Sequence, residues 1–80
     1  MKKFYLFVQN GCEDCEKAVN LLKNHKVNYE LFKNTDHEKV TKYNILVLPT
    51  LVKSNIINGD EVFSKLYLNN EEELVNFLIK

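Results

Sequence analysis

Both cysteines of the chain lie in one pentad, Gly11-Cys12-Glu13-Asp14-Cys15, and it falls where the hydrophobic pattern changes period. Before it runs Phe4-Tyr5-Leu6-Phe7-Val8, continuously apolar and aromatic-rich, which suits a strand over residues 3–9 buried on both faces. After it, Cys15, Ala18, Val19 and Leu22 recur at helical spacing from about Cys12 to His25, with Lys17, Asn20, Lys23 and Asn24 on the other side. Gly11 permits the unusual backbone angle or close approach that a tight strand-to-helix turn needs. Glu13 and Asp14 in the first turn, and Lys23, His25 and Lys26 at or beyond the last, complement the helix dipole. A Cys-x-x-Cys between a strand and a helix points to redox chemistry rather than to a structural staple.

Further along, Val27, Tyr29 and Leu31 alternate with Asn28 and Glu30, so residues 27–33 are expected to form a second strand. Strand, helix and strand in succession make a right-handed parallel unit. Asn34-Thr35-Asp36 offers caps for a short helix over 37–43, with Val40 and Tyr43 as its inner face. Pro49, the only proline, pushes Leu48 towards extended geometry, so that helix must end earlier. Thr50 to Ile57 and Glu61 to Leu68 look like two strands joined around Asn58-Gly59, a strong hairpin signal. Asn70-Glu71-Glu72-Glu73 has the form of a capping box and opens a last helix whose buried stripe is Leu74, Phe77 and Leu78. The order is βαβαββα, and one α/β domain over residues 1–80 is expected.

Composition removes several classes of function. Forty-five per cent of the 80 residues are apolar, enough for a packed globule. Eleven basic and 11 acidic residues leave no electrostatic footprint for nucleic acid. Apolar runs of about five residues are far short of the ~20 that a membrane helix needs. The basic start Met1-Lys2-Lys3 is soon interrupted by Gln9-Asn10 and an acidic pair, unlike a secretory signal. Paired cysteines without targeting signals suggest a reducing compartment, so a cytoplasmic monomer is expected.

The βαβαββα order, with Cys12-x-x-Cys15 after the first strand and Leu48-Pro49-Thr50 opening the third, resembles the thioredoxin superfamily. The length and the absence of an extra N-terminal strand and helix are most similar to a glutaredoxin-type member. The segment from Lys42 to Leu51 and the hairpin Asn58-Gly59-Asp60-Glu61-Val62 are closer to thioredoxins. The likeness spans nearly the whole chain, and the proline lies 34 residues after Cys15. It implies a thioredoxin fold, with a four-stranded mixed sheet flanked by three helices. It also implies a cis Leu48–Pro49 bond beside the sulfurs, a reversible Cys12–Cys15 disulfide, and disulfide-containing proteins as substrates.

Attack on a disulfide needs a thiolate, which a helix N-terminus stabilises through its free N–H groups and dipole. Cys12 is therefore the candidate nucleophile and Cys15, on the same helical face, the resolving thiol. Pro49 would leave the Leu48 backbone free to pair with an extended substrate segment. Thr50 could add a hydroxyl there, or serve simply as a good strand former. Glu13 and Asp14 each disfavour a thiolate on Cys12, by roughly half to one pK unit when solvated, which points to a couple on the reducing side. Both acids could equally be plain solvated residues of the first helical turn.

Leu6 stands where thioredoxins keep a buried carboxylate, so proton transfer at Cys15 would use water or Glu13 and Asp14. Gln9 stands where glutaredoxins commonly carry a basic residue for the glutathione carboxylate. The electron donor, a flavoprotein disulfide reductase or glutathione, thus stays open. No cofactor beyond the disulfide is expected. Zinc would need ligands besides the two thiolates; only His25 and His37 offer imidazole, and neither is placed to reach the site. Both histidines are expected to be solvated, and the four tyrosines to be half-buried with wet hydroxyls. Alternatives to catalysis are a module holding a metal or an iron–sulfur cluster, shared between two chains, and a partner domain with vestigial cysteines.

Overall fold

The computed structural model describes residues 2–79; Met1 of the basic start, and Lys80, lie outside them. The chain runs β1 (Lys2–Val8), α1 (Glu13–Asn24), β2 (Glu30–Lys33), α2 (His37–Lys42), β3 (Thr50–Ile57), β4 (Asp60–Tyr67) and α3 (Glu71–Ile79). The strands form one mixed sheet in the order β2-β1-β3-β4. β1 pairs in parallel with β2, through Leu6 with Leu31 and Val8 with Lys33. It pairs antiparallel with β3, through Phe7 with Thr50, and β3 pairs antiparallel with β4, through Thr50 with Tyr67. Connections of this order, three helices and four strands, are those of the thioredoxin fold.

The continuous apolar run of β1 is explained by its central place, since Leu6, Phe7 and Val8 are all buried. Alternate side chains of a strand point to opposite faces, so the run feeds two cores. On one face Leu6 and Val8 join Cys15, Ala18, Leu22, Leu51, Leu68 and Leu74, an almost wholly aliphatic cluster covered by α1 and α3. On the other, Phe7, Tyr43 and Val52 are buried together, with Tyr5 and Phe32 packed against them. That second core is aromatic: Phe7 meets Phe32 at 5.4 Å between ring centroids, and Tyr43 meets Phe63 edge-on at 4.9 Å.

β1 (Lys2–Val8), the end of α2 (Lys42) and the end of β4 (Tyr67) each fall one residue from the sequence expectation, and the starts of β2 and β4 differ for local reasons. β2 begins at Glu30 rather than 27, because α1 closes with a Schellman turn. Lys26 lies at φ 55°, its N–H bonds the Lys23 carbonyl, and the Val27 N–H bonds the Leu22 carbonyl at 3.0 Å. Val27 is thereby spent on the helix end and packs into the aliphatic core. α2 closes the same way, with Asn44 at φ 51° and Ile45 N–H on the Val40 carbonyl at 3.0 Å. β4 runs from Asp60 rather than Glu61, because Asn58 and Gly59 both take positive φ in a two-residue turn that sets Asp60 opposite Ile57. At α3, Asn70 accepts from the Glu73 N–H at 2.8 Å and donates to the Glu73 side chain, as the capping pattern suggested.

Tyr43 corrects the expectation of wet tyrosine hydroxyls. It is 2% exposed, and its hydroxyl donates to Glu61 Oε2 at 2.6 Å. Ser54, also buried, donates to the same oxygen at 2.5 Å, and the Lys42 ammonium lies 2.9 Å from Oε1. Hydrogen bonds from Ser54, Tyr43 and Lys42 hold the Glu61 carboxyl down to about 2, while burial and the facing carboxylate push the Tyr43 phenol up to about 12. His25 is likewise not simply solvated: its ring nitrogen lies 3.0 Å from Glu71, joining the end of α1 to the start of α3.

A carboxyl whose folded pKa is depressed stabilises the fold above its unfolded value and loses that contribution as pH falls through the folded one. For Glu61 the window runs from the ordinary 4.5 down to about 2. Glu61→Ala is expected to cost about 2–4 kcal/mol at pH 7 in urea unfolding, from the two hydroxyls left without their acceptor. The variant should also lose part of the decline in stability across that acid window. Lys26→Gly, which relieves a side chain in the left-handed region, should stabilise by about 0.5–1 kcal/mol in the same measurement.

Candidate active site

The turn after β1 delivers Cys12 to the head of α1. Gly11 takes φ +70°, a conformation that side-chain-bearing residues rarely adopt. Cys12 itself stays extended at φ −100° and ψ 109° and serves as the N-cap residue. Its Sγ accepts the Cys15 N–H at 3.1 Å, and its carbonyl accepts the Glu16 N–H at 3.2 Å. Sulfur thus takes the place that a Ser, Asp or Asn oxygen fills at an ordinary helix start, among N–H groups that favour negative charge.

The two cysteines form a disulfide with Cα atoms 5.2 Å apart. They are unequally exposed. Cys15 is 4% exposed and belongs to the aliphatic core with Leu6, Val8 and Ala18, whereas Cys12 is only partly buried at its surface. A thiol arriving from solvent therefore reaches the Cys12 sulfur, and the sulfur that leaves is the shielded one. Leu6, fully buried in that core, puts no ionisable group beside Cys15.

Strand pairing brings the proline loop to the same end of the sheet. Thr50 pairs with Phe7, so Pro49 stands across from the end of β1, a short turn before Cys12. The Leu48–Pro49 bond is cis, Pro49 is buried, and its carbonyl accepts the Leu68 N–H at 3.1 Å. Leu48 packs against the cluster that holds Cys15. The Thr50 hydroxyl is buried and donates to the Val47 carbonyl at 2.6 Å, which fixes the loop from within. Glu13 and Asp14 are exposed on the first turn of α1.

A cavity of about 240 Å³ opens beside the disulfide, between α1 and the edge strand β2. Val8, Val19 and Leu31 give it apolar walls, and Gln9, Asn10, Glu16 and Lys33 supply its polar groups. Leu48, Pro49, Thr50, Glu13 and Asp14 do not line it. The Lys33 ammonium is held by Asn10 Oδ1 at 2.6 Å. Sequence reasoning singled out neither Lys33 nor Glu16; both line this cavity because Lys33 pairs with Val8 at the same end of the sheet as the cysteines.

A disulfide capping a helix N-terminus, opposite a cis-proline at the head of an antiparallel neighbour, defines a redox protein of the thioredoxin superfamily. A family model for glutaredoxin matches residues 4–48, and the chain belongs to the glutaredoxin family. Among solved structures it is similar to a thioredoxin from Plasmodium falciparum, at 20% identity and a TM-score of 0.80, covering 98% of this chain and 69% of that one. A thioredoxin from Thermus thermophilus aligns at 15% identity and 0.72, over 98% of this chain and 71% of that one. Oxidised thioredoxin O2 from Arabidopsis thaliana gives 16% identity and 0.68, over 99% and 73%. Identities this low speak for the fold. No curated protein matches in sequence.

The two exposed acids give a test. Removing a like charge near a thiolate is worth on the order of 1 kcal/mol or less at a solvated site. Glu13→Gln combined with Asp14→Asn should therefore raise the alkylation rate of reduced Cys12 at neutral pH by about threefold or more, measured with iodoacetamide and mass spectrometry.

Proposed function

We propose that the protein is a thiol-disulfide oxidoreductase that reduces disulfides of protein substrates through the reversible Cys12–Cys15 bond. The observation that carries this reading is the unequal exposure of the two sulfurs at a helix N-terminus. In the reduced protein, the Cys12 thiolate attacks one sulfur of the substrate disulfide, and the other substrate sulfur leaves as a thiolate. Cys15, three residues on and screened from competing reagents, then attacks the Cys12 sulfur. The substrate's second sulfur is released, and the Cys12–Cys15 bond forms again with two electrons transferred.

The Leu48 backbone supports docking of an extended substrate segment. Among the described residues no hydrogen bond to it appears, while the neighbouring Pro49 carbonyl and Thr50 hydroxyl are both taken up inside the protein. A short strand-like pairing at Leu48 would hold the substrate cysteine against Cys12. Glu13 and Asp14 at the rim bias Cys12 against the thiolate and so favour a reducing couple. No helix among the described residues is long and apolar enough to cross a membrane.

An insulin-reduction assay driven by dithiothreitol tests the reading. Wild type should accelerate precipitation well above the reagent alone, and Cys12→Ser should fall to that background. Cys15→Ser should instead accumulate a mixed disulfide through Cys12, visible as a mass increase under non-reducing conditions. A Cys12→Ser variant as active as wild type would overturn the assignment.

A further inference from the structure

Away from the disulfide, a second cavity of about 230 Å³ lies between α2 and the sheet. Lys3 and Ser54, paired neighbours on β1 and β3, both line it. Lys3 is four residues back along β1 from Phe7, which pairs with Thr50 beside the proline loop. At about 3.3 Å per strand residue, the cavity stands roughly 13 Å from the end of β1 that leads to Cys12. Its charged lining is unbalanced. Among the described residues, Lys3 from β1 and Lys39 and Lys42 from α2 share it with one carboxylate, Glu61 from β4. Strand alternation sends Lys3 to the same face as Phe7 of the aromatic core, and helical spacing sets Lys39 and Lys42 on one side of α2. Glu61 is already engaged, since Tyr43 and Ser54 donate to Oε2 and Lys42 lies 2.9 Å from Oε1. Its charge cancels that of Lys42. Among the described residues neither Lys3 nor Lys39 forms an ion pair, and Lys39 lies instead over the Phe32 ring, 5.7 Å from its centroid. Like charges gathered at one cavity repel, and an anion placed between them removes that repulsion.

We propose that this cavity binds a phosphate group, either the free dianion or a small monoester, with Lys3 and Lys39 on its oxygens. A tetrahedral dianion matches the two uncompensated charges and offers separate acceptor oxygens to ammonium groups arriving from β1 and from α2. A monoanion leaves one of the two unmet. The cavity is roomier than the ion needs, and Tyr5 and Ile56 give it an apolar wall against which the carbon portion of an ester rests. The bound group ties α2 to β1, which already meet through Tyr5 and Tyr43 with ring centroids 5.7 Å apart. The site uses neither sulfur and does not depend on the oxidoreductase reading.

Two-dimensional amide NMR spectra test the site, with chloride replaced by inorganic phosphate or by glycerol 3-phosphate at constant ionic strength. Phosphate should give shifts that saturate by about 10 mM and are confined to the surroundings of Lys3, Tyr5, Lys39 and Ser54. Lys3→Met and Lys39→Met should each weaken the affinity by about threefold or more, the scale of one partly exposed ion pair, whereas Lys3→Arg and Lys39→Arg should stay within about twofold of wild type. Lys17→Met, at an exposed position on α1, should bind as wild type does. The ester arm separates the sources: glycerol 3-phosphate that shifts the same amides supports a monoester ligand, and an ester that leaves them unmoved while inorganic phosphate shifts them supports the free ion. Shifts that grow linearly with concentration, that chloride reproduces or that spread to remote lysines mean an adventitious ion only and overturn the proposal. Methionine variants that bind as tightly as wild type overturn it too. Cys12→Ser, inactive in the insulin assay, should bind phosphate unchanged, so that failure of the one reading is distinguishable from failure of the other.

Discussion

The structure depends on β1 being buried on both faces. A strand whose stretch from Phe4 to Val8 is apolar at every position can only sit in the middle of a covered sheet, so it must have neighbours on both sides and helices above and below. With β2 parallel on one side and β3 antiparallel on the other, the exit of β1 and the entry of β3 fall at the same end. Cys12 leaves from one and Pro49 arrives at the other. The site is therefore a product of strand placement, not of any local affinity between the two segments.

Helix α1 then divides the labour between two chemically identical side chains. Cys12 caps it from outside and Cys15 lies in its first turn, inside the core, so one sulfur is reachable and the other is shielded. The N–H bond from Cys15 to the Cys12 sulfur links the two functions through the backbone. Attack and resolution differ because of where a helix begins.

Much of this was legible from residue order. The run Phe4 to Val8, the period change at Cys12 and the Asn58-Gly59 turn each report short-range constraints, and those three elements lie where the pattern put them, within a residue or two. The late start of β2 was not legible, because Lys26 in the left-handed region breaks the usual preference for glycine or asparagine there; Asn44, which obeys that preference, could have been read. The Glu61 cluster was invisible for another reason. Lys42, Tyr43, Ser54 and Glu61 come from three separate elements, and only the β3–β4 register and the packing of α2 bring them together. Lys33 and Glu16 escaped in the same way: each looks like an ordinary surface charge until β2 and α1 are set side by side.

The sheet order leaves two strands with one unpaired side, and they are not equally exposed to addition by another chain. β2 is four residues long and carries charge at both ends, Glu30 and Lys33, so it offers a poor template. β4 is eight residues long and shows solvent Val62, Phe63 and Tyr67 along its length. Glu61 and Lys65 interrupt that run, but both are engaged, Glu61 in the Tyr43–Ser54 cluster and Lys65 in an exposed bond to the Asn44 carbonyl. Charges tied up in these bonds are thus taken from the margin that would otherwise repel a second strand. Aggregation on partial unfolding should nucleate along β4, and the same bonds that stiffen the α2 face set that liability.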